Sequence, residues 1–470
     1  PRHGAALVLN YLTRMVDERH DFLPYWLIGI HVKPAFARHC RVDDAELVAS
    51  WYEAIVAARD VLETDHGADV QAAFRRHLLK SWGPHGLRFH EDYPWTHTMH
   101  SSFHEMGYVL AGLNRCLAVD PEDKQAEQRA AGLCRGLRAL VIDRQVRTFW
   151  SGDWPVEEKT YEFPNDVYLL DGGFDLTRMT GRGEQAIRNA VLLRPLAVRY
   201  EMTGDETARD LAEGIANHLL GVSRYFSWNM EYFGHVHSTA WFAAGLVRLG
   251  RLTGNEQYVE KGKAIYDFTR SISSSFGWVP EYAKWRPLAE EHCETCCIRD
   301  MIFLAAELID CGYAEYWADL NSFARNMLVE NQIDSGAFVA ADNSLPDTDE
   351  ATWWDLDERV VGGYSGGTEP NAISLRRFRS IAGCCVGTAP QAIQLVWNLS
   401  VEDSRKRLTV NVPVGKATRH GDVEMGYPNE GFIRVTPRRP MDVAIRLYPW
   451  MPAKLEGRLG GRRKAYDVED

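Results

Sequence analysis

From the first residues to about position 395, apolar side chains recur mostly at helical spacing. Leu47-Val48, Trp51, Ile55-Val56 and Ala58 lie on one face of a predicted helix, and Leu133, Leu137 and Leu140-Val141 lie on one face of another. The breaks between such runs are short and carry Gly, Pro, Asp or Asn. Two breaks repeat, with Thr203-Gly204-Asp205 after Val198-Arg199 and Thr253-Gly254-Asn255 after Val247-Arg248, 50 residues later. Each is followed by an amphipathic run, Ala208 to Leu220 and Tyr258 to Phe268. That period fits two antiparallel helices with their turns, at about 8–20 residues per helix. Such hairpins either stack into an open solenoid or close into an α/α toroid. An open solenoid would show a clearer repeat and polar caps, so the faint repeat favours the toroid. Loops rich in aromatic residues, such as Tyr93-Pro94-Trp95 and Trp353-Trp354-Asp355, would suit a sugar-binding cleft at one end of it, although some Trp simply fill a large core.

After about residue 400 the period changes to two. Arg407-Leu408-Thr409-Val410-Asn411-Val412, Phe432-Ile433-Arg434-Val435-Thr436 and Val443-Ala444-Ile445-Arg446-Leu447 all alternate, which predicts strands. Two or three strands do not make a stable sandwich alone. The expectation is a chain that ends inside a β-domain, or a β-domain that packs against the helical one.

Composition narrows the function classes. With 470 residues, 45% hydrophobic and 25% charged, the chain is neither disordered, collagen-like nor a small disulfide scaffold. A net charge of -12 makes a poor partner for phosphate backbones or anionic lipid. No run approaches the roughly 18–20 apolar residues that span a bilayer. The expected partners therefore include neither nucleic acid nor membrane. The nine Cys are unevenly placed: Cys40, Cys116, Cys134 and Cys311 are scattered, while Cys293, Cys296, Cys297, Cys384 and Cys385 form two tight clusters. Adjacent cysteines rarely bond to each other, and clustered thiols without a pairing framework suit a reducing compartment or a metal. A cytoplasmic location is the expectation, with little weight on signal peptides because the sequence begins at Pro1.

The clusters read Glu291-His292-Cys293-Glu294-Thr295-Cys296-Cys297 and Gly383-Cys384-Cys385. Zinc takes four ligands and accepts thiolate, carboxylate and imidazole. Glu294 and Cys296 can point the same way across one intervening residue. Cys384 and Cys385 can share a metal if the backbone kinks, which Gly383 would ease. Glu plus three Cys completes a tetrahedral set, with Cys293, Cys297 and His292 as spare candidates. The rival readings are buried thiols with no metal and a purely structural zinc. In a catalytic version the metal holds a thiolate at neutral pH, and that thiolate attacks an electrophilic carbon. A partner acid must then protonate the leaving group. Glu281, among Trp278-Val279-Pro280-Glu281-Tyr282, is the candidate.

Glu294-Thr295-Cys296, followed some ninety residues later by Cys384-Cys385, resembles the zinc-site motif of the β-L-arabinofuranosidases of glycoside hydrolase family 127. The resemblance covers roughly residues 90 to 455 and is clearest in the central and zinc regions. It implies a Zn2+ held by Glu294, Cys296, Cys384 and Cys385, with Cys384 as the nucleophile of a retaining mechanism. It points to Glu281 as general acid/base, with Glu290 and Glu291 as alternatives. It also marks His235, after Gly234, as a sugar-binding residue. Where the family has Pro and a nearby Asn after the Cys pair, this chain has Val386-Gly387-Thr388. A sugar-contacting Glu of the family falls on Asn321, a subsite His near Asn189, and the segment around His104 fits with a shift. The implied architecture is mainly α: an (α/α)6 toroid of the six-hairpin glycosidase type over residues 1–397, then a small, truncated C-terminal β-sandwich-type domain over 398–470.

Other constellations compete. His97, His100 and His104 fall at i, i+3 and i+7, one face of a helix, where they would bind a metal, hold a sugar or be satisfied core histidines. His235 and His237 would suit either sugar binding or the paired acid and base of a metal-free epimerase. Asp166, Asp171 and Asp175, near Tyr168, would serve a metal-free hydrolase. The expectation is thus a retaining zinc glycosidase on β-L-arabinofuranosides or related sugars, with His235, His104 and His237 binding substrate. A catalytically lapsed carbohydrate-binding protein with structural zinc and a metal-free epimerase or hydrolase are the alternatives. A homodimer is left open.

Overall fold

The computed structural model describes residues 1–39, 44–90, 100–148, 156–163, 167–170, 184–283, 292–369, 372–373, 381–427, 429–452 and 455–465. The chain divides into two compact units, Pro1–Asn398 and Leu399–Asp470.

The first unit is helical. Its helices are α1 (Arg2–Arg14), α2 (Asp44–Leu62), α3 (Ala68–Leu78), α4 (Phe103–Val119), α5 (Lys124–Leu140), α6 (Glu184–Asn189) and α7 (Leu193–Thr203). They continue with α8 (Glu206–Gly221), α9 (Val236–Thr253), α10 (Glu256–Ser271), α11 (Thr295–Asp310), α12 (Tyr316–Phe323), the single turn α13 (Leu356–Arg359) and α14 (Gly383–Ser400). The repeated Thr-Gly-Asp/Asn breaks are helix-to-helix turns. Gly204 and Gly254 close α7 and α9 at φ 70° and 72°, a left-handed conformation that a side chain disfavours. Asp205 and Asn255 then cap the next helix, Asp205 accepting from Thr207 N at 3.0 Å and Asn255 from Gln257 N at 3.2 Å.

Burial sorts the helices into two layers. α9 is buried on nearly every face from Val236 to Gly250, whereas its neighbour α10 buries one stripe, Tyr258, Gly262, Ile265, Tyr266 and Thr269. α2 and α11 are buried like α9. The inner helices pack in sequence, α2 on α4, α4 on α7, α7 on α9 and α9 on α11, each carrying an outer partner from α1, α3, α5, α8, α10 and α12. α14 closes the ring between α11 and α2. Thr388 meets Cys296 of α11, Gln391 donates to Glu53 of α2 at 3.3 Å, and Trp51 of α2 donates to Gly383 O at 2.9 Å. Trp51 is fully buried in that seam, and its loss would cost about 3–5 kcal/mol. The architecture is an α/α toroid. Inner helices joined through outer ones all begin at the same end of the ring, so their N-termini gather there.

The second unit is β. Strands Val401–Asp403, Arg407–Val410 and Asp442–Ile445 make one sheet, and Lys416–Ala417, Gly421–Met425 and Ile433–Pro437 another. Val401, Leu408, Val410 and Val423 form a small core, with Ile433, Val435 and Met441 packed on it. The alternating segments of the sequence form these strands, with ends that differ by one or two residues. Among the described residues no helix is long and apolar enough to cross a membrane.

Candidate active site

Short strand pairings, rather than helices, deliver the functional segments to the N-terminal end of the ring. Gly234–His235 pairs antiparallel with Tyr282–Ala283, His235 opposite Tyr282, which sets Glu281 beside the start of α9. Val236 N donates to Glu281 O at 2.8 Å, and Glu281 N donates to His292 O at 2.8 Å. Cys293 exchanges two backbone hydrogen bonds with Thr368, at 2.8 and 2.9 Å, fixing the entry to α11. Ile381–Ala382 pairs with Leu27–Ile28 and fixes the entry to α14.

These entries bring the two motifs together. Glu294 is the extended residue before α11 and Cys296 lies in its first turn, while Cys384 and Cys385 lie in the first turn of α14. The pair therefore shares one site through helical geometry rather than a backbone kink. Gly383 serves space instead, since a Cβ there would stand 2.7 Å from the Trp26 ring. One donor atom from each of Glu294, Cys296, Cys384 and Cys385 lies within 4.8 Å of the others. Cys384 Sγ stands 3.3 Å and Cys385 Sγ 3.9 Å from Glu294 Oε1, Cys296 Sγ stands 3.4 Å from Cys385 Sγ, and Thr388 Oγ1 donates to Cys296 Sγ at 3.3 Å. Glu294 Oε2 is buried, with His235 Nε2 3.4 Å away. Three thiols and a buried carboxylate fit a thiophilic dication such as Zn2+, and the two positive helix ends favour the anionic forms of these ligands.

The electrostatics of this corner are strongly perturbed. Burial opposes charge on Glu294, but the hydrogen bond and charge of His235 and the charge of His237 hold its carboxyl well below the usual range. Burial likewise opposes a Cys385 thiolate, yet hydrogen bonds from Cys296 and Cys384 outweigh it and bring that thiol down to about 6. Cys296 is pushed well above its ordinary value, first by burial and then by the other two thiols. Exposure ranks them differently: Cys384 is 8% exposed, Cys296 and Cys385 0%. All three are buried, and Cys384 is the least enclosed of them.

Glu281, His235 and Glu294 form a second cluster, their donor atoms within 4.8 Å of one another. His235 Nε2 lies 3.4 Å from Glu294 Oε2 and its Nδ1 2.9 Å from Ser238 Oγ. His292 Nε2 pairs with a Glu281 oxygen. His292 belongs to Glu281, outside the four-donor group. Cys293 and Cys297 are fully buried and also outside it; burial pushes Cys293 up to about 12 and Cys297 well above its ordinary value. His104, on α4, faces Glu46 of α2, with Nε2 3.4 Å from Glu46 Oε2, while its Nδ1 donates to Arg188 O at 3.2 Å. His237 lies deeper, bonded through Nε2 to the Tyr108 hydroxyl at 2.7 Å and through Nδ1 to Asp300.

Some expected groupings do not form. His100 lies in the strand His100–Ser102 and α4 starts only at Phe103, so His100 and His104 share no helix face. The reason is local: the strand pairs with Val167–Leu169 before the helix begins. Asn321 sits on outer helix α12, accepting from Arg325 Nε at 2.9 Å. His97, Tyr93-Pro94-Trp95, Asp166, Asp171, Asp175, Glu290 and Glu291 lie outside the described residues. Sequence reasoning missed Glu46, Tyr108, Asp300 and Arg188. Helical spacing held a signal for two of them, since Tyr108 is i+4 from His104 and Asp300 is i+4 from Cys296.

No protein-family model matches the chain, and no curated protein does. Solved structures do. A GH127 β-L-arabinofuranosidase from Geobacillus stearothermophilus T6 matches with a TM-score of 0.59 at 13% identity, over 99% of this chain and 72% of that one. A second GH127 β-arabinofuranosidase matches with a TM-score of 0.58 at 14% identity, over 99% and 71%. A sugar epimerase from a ruminal bacterium matches with a TM-score of 0.54 at 12% identity, over 84% and 97%. The similarity to the two GH127 enzymes thus covers nearly the whole chain at the level of fold, at 13–14% identity.

Proposed function

We propose that the chain is a retaining glycoside hydrolase with Cys384 as nucleophile and Glu281 as general acid/base, acting on β-L-arabinofuranosides or related sugars. The observation that carries this reading is the juxtaposition at the end of the ring: the least enclosed of the three thiols, Cys384, 3.3 Å from Glu294, whose carboxylate is itself clustered with His235 and Glu281. Glu294, Cys296, Cys384 and Cys385 would hold Zn2+, which keeps thiols deprotonated at neutral pH. Cys384 Sγ attacks the anomeric carbon, the C–O bond to the leaving group breaks, and Glu281 gives its proton to the departing oxygen. Water then attacks the same carbon, Glu281 takes a proton from it, the C–S bond breaks and the Cys384 thiolate returns. Sulfur takes the place of the carboxylate nucleophile usual in retaining glycosidases. His235 and His104 would bind sugar hydroxyls. The arabinofuranose preference rests on the similarity to the two GH127 enzymes. The reading also takes residues 1–397 as the catalytic toroid and 398–470 as a β-sandwich-type domain.

Two measurements on the purified full chain decide it. Metal analysis should give one zinc per chain, and an aryl β-L-arabinofuranoside should be hydrolysed by the parent and not by Cys384→Ser. Equal turnover by Cys384→Ser removes the nucleophile assignment. Well under one zinc with every thiol titratable removes the metal, and sugar isomerisation that persists without zinc would favour the epimerase reading.

A further inference from the structure

His237 carries a commitment that sugar binding does not explain. It is 4% exposed, and both ring nitrogens are engaged, Nδ1 with Asp300 and Nε2 with the Tyr108 hydroxyl at 2.7 Å. A sugar hydroxyl could claim either nitrogen only by displacing a buried partner. The three residues come from three inner helices, α9, α11 and α4. Asp300 is fully buried, and its charge is matched by His237 and by Arg299, whose Nε lies 2.9 Å from Asp300 Oδ1. Arg299 is in turn laid over Trp241 at 3.7 Å. A buried charge so paired holds its geometry, whereas removing one partner leaves the others uncompensated.

At one end the chain of contacts approaches the proposed site. Tyr108 is 3% exposed, and the His237 ring that holds its hydroxyl lies 5.4 Å from the ring of His235, which stands 3.4 Å from Glu294. The Tyr108 ring meets His104, one turn earlier on α4, edge-on at 5.4 Å. Asp300 stands one turn after Cys296 on α11. The contacts therefore tie α11, whose entry carries two of the proposed zinc donors, to α4.

Resting on the hydrolase reading above, we propose that His237 is a positioning residue: Asp300 fixes its ring, the ring fixes the Tyr108 hydroxyl, and Tyr108 is the member of the three that meets the sugar. The arrangement has the logic of a carboxylate that orients an imidazole which orients the acting group.

The test uses the full zinc-loaded chain with its histidines labelled in nitrogen, comparing the parent with Asp300→Asn, Tyr108→Phe and the double variant. A slowly exchanging His237 Nδ1 proton is expected in the parent and in Tyr108→Phe, and is expected to be lost or strongly shifted in Asp300→Asn. Each single variant should keep its zinc and lose about 10–100-fold in kcat with KM within about twofold, and the double variant should be no worse than the poorer single one. A purely structural role would lower thermal stability without this split. KM rising at constant kcat, losses that multiply in the double variant, or His237 nitrogens unmoved by either substitution would each overturn the relay. The spectroscopic arm separates the two ideas. A parent that hydrolyses no aryl glycoside sinks the hydrolase reading, whereas an active parent whose His237 nitrogens ignore Asp300→Asn overturns the relay alone.

Discussion

Two regions of the toroid gather metal-capable side chains, and they solve the problem of buried charge in opposite ways. Asp17, His20 and His39 bring three donor atoms within 4.8 Å, as Glu294, Cys296, Cys384 and Cys385 do. Around Asp17, however, every attraction already has its partner. Arg19 grips the carboxylate through two nitrogens at 2.9 and 2.8 Å, His20 Nδ1 lies at 2.8 Å, and His39 Nε2 lies at 3.3 Å. The positive charge is supplied by the chain. At the thiol corner three sulfurs and a carboxylate face one another, and the cationic candidate beside them, His235, approaches Glu294 only to 3.4 Å. Proximity of donors is thus common to both, and charge balance distinguishes them. His90, His100 and Glu105 fall on the Asp17 side of that line, since both Glu105 oxygens lie within 2.9 Å of His90 Nε2 and one also accepts from Ala45 N at 3.0 Å.

The largest effect that follows concerns metal content. Cys385→Ala should take bound zinc from one per chain to near zero and abolish turnover, because a three-donor remnant loses most of its affinity. Asp17→Asn should leave the zinc count unchanged. Elemental analysis of the two variants beside the parent checks both, and a second equivalent of zinc that vanishes with Asp17→Asn would erase the distinction.

The next effect is on stability. Burial raises the Asp17 carboxyl, but hydrogen bonds from His39, Arg19 and His20 more than reverse this and leave it far below the ordinary carboxylate value. A carboxyl depressed in the folded state contributes stability that is present above its unfolded value of about 3.9 and is lost as pH falls through the folded one. Asp17→Asn should therefore cost about 3–5 kcal/mol near neutral pH. Its unfolding free energy should also fall less steeply than the parent's below about pH 5. Denaturant titrations at several pH values read both quantities, and parallel curves would show that Asp17 is not the hub its contacts describe.

The sequence made the helical hairpins legible because their turns are chemical: a Gly that accepts positive φ and an Asp or Asn that caps, seen at 203–205 and 253–255. The thiol corner was legible for a similar reason, since few roles gather Glu294, Cys296, Cys384 and Cys385 so tightly. The relay was not. Tyr108, Asp300 and Glu46 are ordinary residues on inner helices, and only ring closure makes α4, α9 and α11 neighbours at one end. His237 looked like a twin of His235 by its spacing, yet one lies against Glu294 while the other is held by Asp300 and Tyr108. The strand at His100–Ser102 was hidden by a histidine spacing that suits a helix just as well, because its pairing partner, Val167–Leu169, is distant in sequence.

The smallest effect probes the comparison most finely. Thr388 is fully buried on α14 and donates to Cys296 Sγ at 3.3 Å, a hydrogen bond within the thiol corner supplied by a hydroxyl. If charge matched by a metal holds this corner together, that bond is secondary. Thr388→Val keeps the shape, removes the hydroxyl, and should cost about 0.5–1.5 kcal/mol of stability. It should retain one zinc per chain and leave kcat within about tenfold of the parent, since the loss of an outer hydrogen bond to a ligand falls at the mild end of such effects. Competition with a coloured chelator measures the affinity, and thermal unfolding of the loaded protein measures the stability. Full loss of zinc in Thr388→Val would mean that hydrogen bonds organise the sulfurs as they organise Asp17, and that the two corners differ in composition but not in kind.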